Sequence, residues 1–159
     1  MKAKDLMAIT IHQPHAWAAA SGHKQAENRS WQSWHRGWLL IHAGKSFEWL
    51  EPYGITKRSG GEAPLFGDEV GGLMPIPASL VRAQMGHVIG AARMTDCLTG
   101  EEAKRIGLSC AHGPYCFRLE DAFLFPEMVP CVGQQMIFRP PAEVAARCLA
   151  MINARLGGA

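Results

Sequence analysis

The chain has 159 residues, of which 48% are hydrophobic and 19% charged. That is about one domain's length, enough to bury a core without disulfides, and the composition is globular rather than disordered. A formal net charge of +2 excludes nucleic-acid recognition by bulk charge alone, so any anionic partner has to be held by a local cluster.

The cysteines, Cys97, Cys110, Cys116, Cys131 and Cys148, are odd in number and form no C-x-x-C pair. No apolar leader follows a basic start, and no apolar run reaches the roughly 18 residues of a membrane span. Reduced thiols in a cytoplasmic protein, with no membrane partner, is the economical expectation.

In chain order, Leu6 to Ile11 (LMAITI) is a β-favouring run and the first expected strand. HQPHAWAAASG follows as a short helix, with Pro14 in its first turn, Trp17 against the core and Gly22 just past its end. Gln25 to Trp31 reads as a strand. Gly37 to Ala43 (GWLLIHA) reads as a surer one, apolar on both alternating sets and so buried on both faces. Ser46 to Leu50 suits one or two helical turns capped by Ser46.

Residues 54–77 change character, with six glycines and three prolines and no sustained period. Such a segment is expected to be a mobile lid or binding loop. His87 to Cys97 returns to strand character. Thr99-Gly-Glu-Glu102 has capping-box spacing and predicts a helix over 100–106. Tyr115 to Leu119 and Gln135 to Phe138 are further strands, separated by connections bearing Pro126 and Pro130. A final helix over 141–156 carries an apolar stripe of Val144, Cys148, Ile152 and Leu156. Five or six short strands with peripheral helices predict a single α+β domain over 1–159, built on a small mixed β-barrel.

The densest polar group is GHKQAENRSW, residues 22–31. On a strand, Glu27, Arg29 and Trp31 share one face. Arg29 suits forked recognition of a phosphate or carbonyl, Trp31 offers a flat surface for a base, and Glu27 accepts from an amino group or from Lys24. The competing reading is an ordinary ion pair on a solvated strand face. Strict alternation puts Lys24 on the opposite face, and it joins the cluster only if the Gly22–His23 turn reorients it.

His42 stands among apolar residues, where a hydrogen-bonded core histidine is the commoner outcome. Lys45 lies at a strand end, where an anion site can form. Cys110, His112 and Cys116 lack zinc-knuckle spacing, and His12-x-x-His15 lacks the i, i+4 spacing of helical metal pairs. No metal and no cofactor is expected. No Walker loop, G-x-G-x-x-G or G-x-S-x-G is present.

Taken together, ITIHQPHAWAAASGHKQAENRSW, HRGWLLIHAGK, GPYCFRLED and VPCVGQQMIFRPP resemble, in order, the motifs of the ASCH family. These are PUA-like domains related to the EVE and YTH domains. The resemblance implies a barrel with a cleft beside G-x-K-x-x-E-x-R, here Gly22, Lys24, Glu27 and Arg29. It implies RNA or a modified nucleotide as ligand, and places His42, Lys45 and Tyr115 near the cleft. The residues do not distinguish RNA from DNA.

The leading expectation is binding, with Arg29, Trp31, His42, Lys45 and Tyr115 contacting the ligand. The alternative is a small hydrolase, an amidohydrolase on N-acylated nucleosides or a ribonuclease, using Lys24 and Glu27. Amidohydrolases of this kind place a Thr nucleophile three residues after the Lys. Glu27 stands there instead, so the covalent route is absent. A third possibility is a protein-interaction domain with Trp34, Trp38 and Trp49 as contact residues.

Overall fold

A computed structural model of the protein describes residues 1–57, 62–65 and 74–157. The first strand, β1 (Met7–Ile11), runs parallel to β3 (Gly37–Ala43), with Met7 opposite Leu39 and Ile11 opposite Ala43. Between them lie helix α1 (His15–Ala20) and β2 (Ala26–Arg29). A two-stranded ladder, β4 (Glu62–Leu65) with β5 (Met74–Pro77), leads into α2 (Ala78–Gln84). Two long strands follow, β6 (His87–Thr99) and β7 (Tyr115–Pro130), joined through α3 (Gly100–Arg105). A short β8 (Ile137–Phe138) precedes α4 (Ala142–Gly157). Six strands form one curled, mixed sheet in the order β2-β7-β6-β3-β1-β8. This is the small α+β half-barrel that the strand count implies.

Alternation along β3 sorts the core into two layers. Leu39, Ile41 and Ala43 pack with Ile9, Ile11 and Phe117 against α1, while Leu40 packs with Ala8, Val88 and Phe138 against α4. Both faces of β3 are thus covered, as its unbroken apolar sequence requires.

Helix α1 approaches the sheet through small residues. Ala16, Ala18, Ala19 and Ala20 are fully buried, and the Gln13 side-chain carbonyl accepts from the Trp17 N–H at 3.1 Å. Trp17 is half-buried, stacks on His23 at 5.2 Å and packs on a core cluster of its own, with Leu50, Ile55 and Val81, rather than on the main sheet. Alanine leaves no side chain to hold the helix off the sheet, so the backbones come close. Gly90 on β6 completes that fit, since a Cβ there would lie 2.5 Å from the Phe123 carbonyl oxygen and 2.9 Å from the Ala20 Cβ.

Several elements differ from expectation. The expected turns at 46–50 form without becoming a regular helix: Ser46 Oγ accepts from the Glu48 N–H at 3.2 Å, the Phe47 carbonyl accepts from the Leu50 and Glu51 N–H groups at 2.8 and 3.0 Å, and a 3-10 turn follows at Glu51–Tyr53. β7 does not stop at Leu119 but continues to Pro130. It accommodates Pro126 where no partner residue is registered, between the Leu124–Gly90 and Val129–Val88 pairs. Leu156 leaves the α4 stripe: Val144, Cys148 and Ile152 are buried, whereas Leu156 is exposed. Of the expected lid at 54–77, residues 58–61 and 66–73 lie outside the described residues. The rest is anchored, with β4 paired to β5 and both Ile55 and Ile76 in the Leu50–Val81 cluster.

Gly90→Ala is expected to destabilise the fold by about 1–3 kcal/mol, because the added methyl meets a backbone carbonyl that cannot yield without shifting β7. Urea unfolding of the variant checks this; an unchanged midpoint would mean that α1 does not depend on that approach.

Candidate functional site

The polar centre is assembled by the turn after α1. Gly22 takes the left-handed conformation (φ +83°), and the Lys24 N–H donates to the Ala18 carbonyl at 2.9 Å. This turn reorients Lys24 before β2 begins at Ala26, so strand alternation does not apply to it. Its ammonium therefore reaches the side chain three residues on, donating to Glu27 Oε2 at 2.5 Å. On the other side of the carboxylate, Arg29 Nη2 lies 2.9 Å from Glu27 Oε1. The same guanidinium nitrogen donates to the Thr10 carbonyl at the end of β1, at 2.8 Å.

Lys24 and Glu27 are 4% and 5% exposed, which sets aside the solvated-face reading of this pair. Burial pushes the Glu27 carboxyl up, but Lys24 and Arg29 together outweigh it and hold the group below the ordinary carboxylate range. Two cations share one anion, so the triad carries one uncompensated positive charge. Arg29 Nε is buried and has no hydrogen-bond partner among the described residues.

Two recesses adjoin at this point. The larger, about 720 Å³, is lined by Arg29, Trp31, His42 and Lys45 and by residues 131–136. The smaller, about 530 Å³, holds Lys24, Glu27 and Asn28, with His15, Trp49 and Tyr53 on its wall. Thr10, His12 and Arg29 line both. The predicted residues are therefore divided: Lys24 and Glu27 lie on one side, Trp31, His42 and Lys45 on the other, and Arg29 between. Tyr115 stands opposite Arg29 in the β2–β7 ladder but lines neither recess.

The larger recess has a firm wall. Buried His42 presents Nδ1 to Thr10 Oγ1 at 3.2 Å and Nε2 to the Cys131 carbonyl at 2.9 Å. A carbonyl only accepts, so the Nε2–H tautomer satisfies both contacts, with the Thr10 hydroxyl donating to Nδ1. Burial lowers the His42 pKa and keeps the ring neutral, although the Cys131 carbonyl partly opposes this. Gly133 has to be glycine, because a Cβ would sit 2.6 Å from His42 Cε1 and 2.7 Å from Thr10 Oγ1. Trp31, just beyond β2, packs edge-to-face on Phe117 at 5.1 Å.

The smaller recess is bounded by a loop that Asn28 organises. Its Oδ1 accepts from the His112 and Gly113 N–H groups, both at 2.9 Å, and its Nδ2 donates to the Cys110 carbonyl at 2.8 Å. Cys110 and His112 thus belong to a loop tied to Asn28, while Cys116 lies on β7 opposite it. Among the described residues no group of three or more His, Cys, Asp or Glu is placed to hold a metal ion. None of the five cysteines is joined in a disulfide.

Residue-type reasoning missed Thr10, His12, His15, Trp49 and Tyr53. The pair His12 and His15 carried the available signal, but its spacing was weighed only for a metal. His15 is turned edge-on to Trp49 at 5.6 Å, and its pKa is lowered to about 4 by burial and then by Lys24.

A curled mixed sheet with a helix on each face and a charged recess at its rim is the architecture of a small PUA-like barrel. The sequence model of the ASCH domain matches residues 9–125. The chain belongs to the ASCH domain family, which is associated in general with RNA binding. No curated protein matches it. Among the described residues no helix is long and apolar enough to cross a membrane.

Glu27→Gln is expected to cost about 3–5 kcal/mol at pH 7, since it leaves the buried Lys24 ammonium without its counter-charge. Glu27 is held below its unfolded value near 4.5, so its contribution is present above that pH and is lost as pH falls through the folded value. The gap between wild type and variant in urea unfolding should therefore narrow in acid. An equal gap at pH 7 and pH 3 would assign the loss to packing instead.

His15 acts in a different window. As pH falls from about 6.5 to about 4, the unfolded chain takes up a proton that native His15 refuses, so stability declines. His15→Gln should flatten part of that slope. His35 and His42, both also lowered by burial, should account for the remainder. An unaltered pH profile in the variant would refute this assignment.

Proposed function

We propose that the protein binds RNA, or a modified nucleotide within it, in the cationic cleft beside the Gly22-x-Lys24-x-x-Glu27-x-Arg29 segment. Arg29 is the phosphate contact and Trp31 the base platform. The observation that carries this reading is the unbalanced charge of the triad: Lys24 and Arg29 share a single buried carboxylate at the junction of two recesses. Glu27 holds the guanidinium at Nη2, which also donates to the Thr10 carbonyl, and the remaining Nη1 suits an anionic oxygen. Lys45, exposed at the rim of the larger recess, adds a second cation, and His42 shapes its wall.

Binding is favoured over hydrolysis of N-acylated nucleosides or of RNA. Lys24 and Glu27, the groups such chemistry would draw on, are committed to each other at 2.5 Å, and the carboxyl's lowered pKa makes it a weak base.

Arg29→Lys keeps the charge but loses the forked donor geometry. It is expected to weaken binding of a single-stranded RNA oligonucleotide by about tenfold or more. Arg29→Ala should in addition reduce the slope of log K against log salt by about 0.7, the value for one phosphate contact on a single strand. Fluorescence-anisotropy titrations at several salt concentrations read both quantities. Wild-type affinity and slope in both variants would reject the site.

A further inference from the structure

We infer that the smaller recess is a second base subsite, so that the unit recognised is two phosphodiester-linked nucleotides of one strand straddling Arg29. The inference rests on the nucleotide reading above and extends it to ligand length. Three features point to it.

The first is size. At about 720 and 530 Å³, each recess lies within the range of about 300–1,000 Å³ that encloses one small ligand. One nucleotide fills one of them and leaves the other vacant. The second is that each recess has its own aromatic surface. The larger has Trp31, steadied by Phe117, and the smaller has Trp49, about half exposed and braced edge-on by His15, with Tyr53 beside it. Bases stack on such surfaces regardless of identity. The third is the shared wall. A strand running from one recess to the other has to pass Thr10, His12 and Arg29. The Thr10 carbonyl is occupied by Arg29, so the positive group at the crossing is the guanidinium, which is where the linking phosphate would lie.

Single-stranded RNA is usually read through unstacked bases splayed out onto aromatic side chains. Arg29 holds the strand in register while the two indoles take the flanking bases. In this arrangement Trp49 is a binding residue.

The test is isothermal titration of the full chain with nucleoside 5′-monophosphates and with the set of dinucleoside monophosphates. The best dinucleotide is expected to bind about tenfold or more tighter than the best monophosphate, the gain of one added base stack. Trp49→Ala should remove that gain by weakening the dinucleotide about tenfold more than the monophosphate, and Trp49→Phe should keep most of it. Because Trp49 is half exposed, thermal melting should show both variants folded.

Dinucleotides binding no tighter than monophosphates would overturn the second subsite and leave the nucleotide reading standing. The same holds if Trp49→Ala weakens both ligand classes equally. Binding of neither class to the wild-type protein would overturn the nucleotide reading itself, and the subsite with it.

Discussion

The contact from Arg29 to the Thr10 carbonyl joins two strands that the sheet order holds far apart, for β2 is at one edge and β1 lies next to the other. A barrel closed by a backbone ladder would pair those edges and leave no opening. Here a side chain spans the gap, and the space on either side of it becomes the two recesses. The span depends on Glu27, which grips the guanidinium from below and is itself neutralised by Lys24. One buried carboxylate thus steadies the side chain that spans the gap and shapes the cleft.

Such an arrangement is hard to justify by stability alone. Taking an ammonium and a carboxylate out of water costs several kcal/mol per ion, and an apolar replacement of similar volume is often as stable. Perturbed, buried charges at the floor of a recess are instead the pattern of a functional site. The charge imbalance points the same way. A purely structural pair would cancel, whereas this triad keeps a net positive charge facing the cleft.

Much of this was legible before any coordinates. Strand β3 announces itself by seven residues without a charge, and α3 by the Thr99–Glu102 box, whose reciprocal bonds form as expected. The clustering of Glu27 with Arg29 follows from strand alternation. That of Lys24 required the glycine turn and could be stated only as a condition.

What the sequence hid has physical causes. Helix α2 is seven residues following a proline-rich stretch, too short to show a period. The continuation of β7 past Asp121, which takes φ +52°, and past Pro126 runs against local preference and is imposed by its long partner β6. Trp49 and Tyr53 reach the site by tertiary contact alone, because the turn that carries them is fixed by Leu50 and Ile55 packing beside Val81. No local pattern encodes that.

The two recesses differ in how their walls are held, and this bears on how each meets a ligand. Around the larger, His42 is locked by two hydrogen bonds, and Gly44 and Gly133 bring the backbone so close to the His12 and His42 rings that neither wall has room to move inward. The smaller recess takes its outer wall from the Phe47–Ile55 turn, which rests on the Leu50–Val81 cluster rather than on the main sheet. A ligand entering the larger recess therefore meets a preformed surface and loses little free energy to ordering. The smaller is shaped by a segment whose position is set by a separate, lesser core. If it takes a base as proposed, its contribution to affinity would depend on contacts, such as stacking on Trp49, that tolerate small displacements of the wall. Arg29 belongs to the rigid side, because Glu27 and Thr10 fix it before any ligand arrives. In the proposed mode of binding, the phosphate contact at Arg29 is thus the fixed element, to which the bases on either side would adapt.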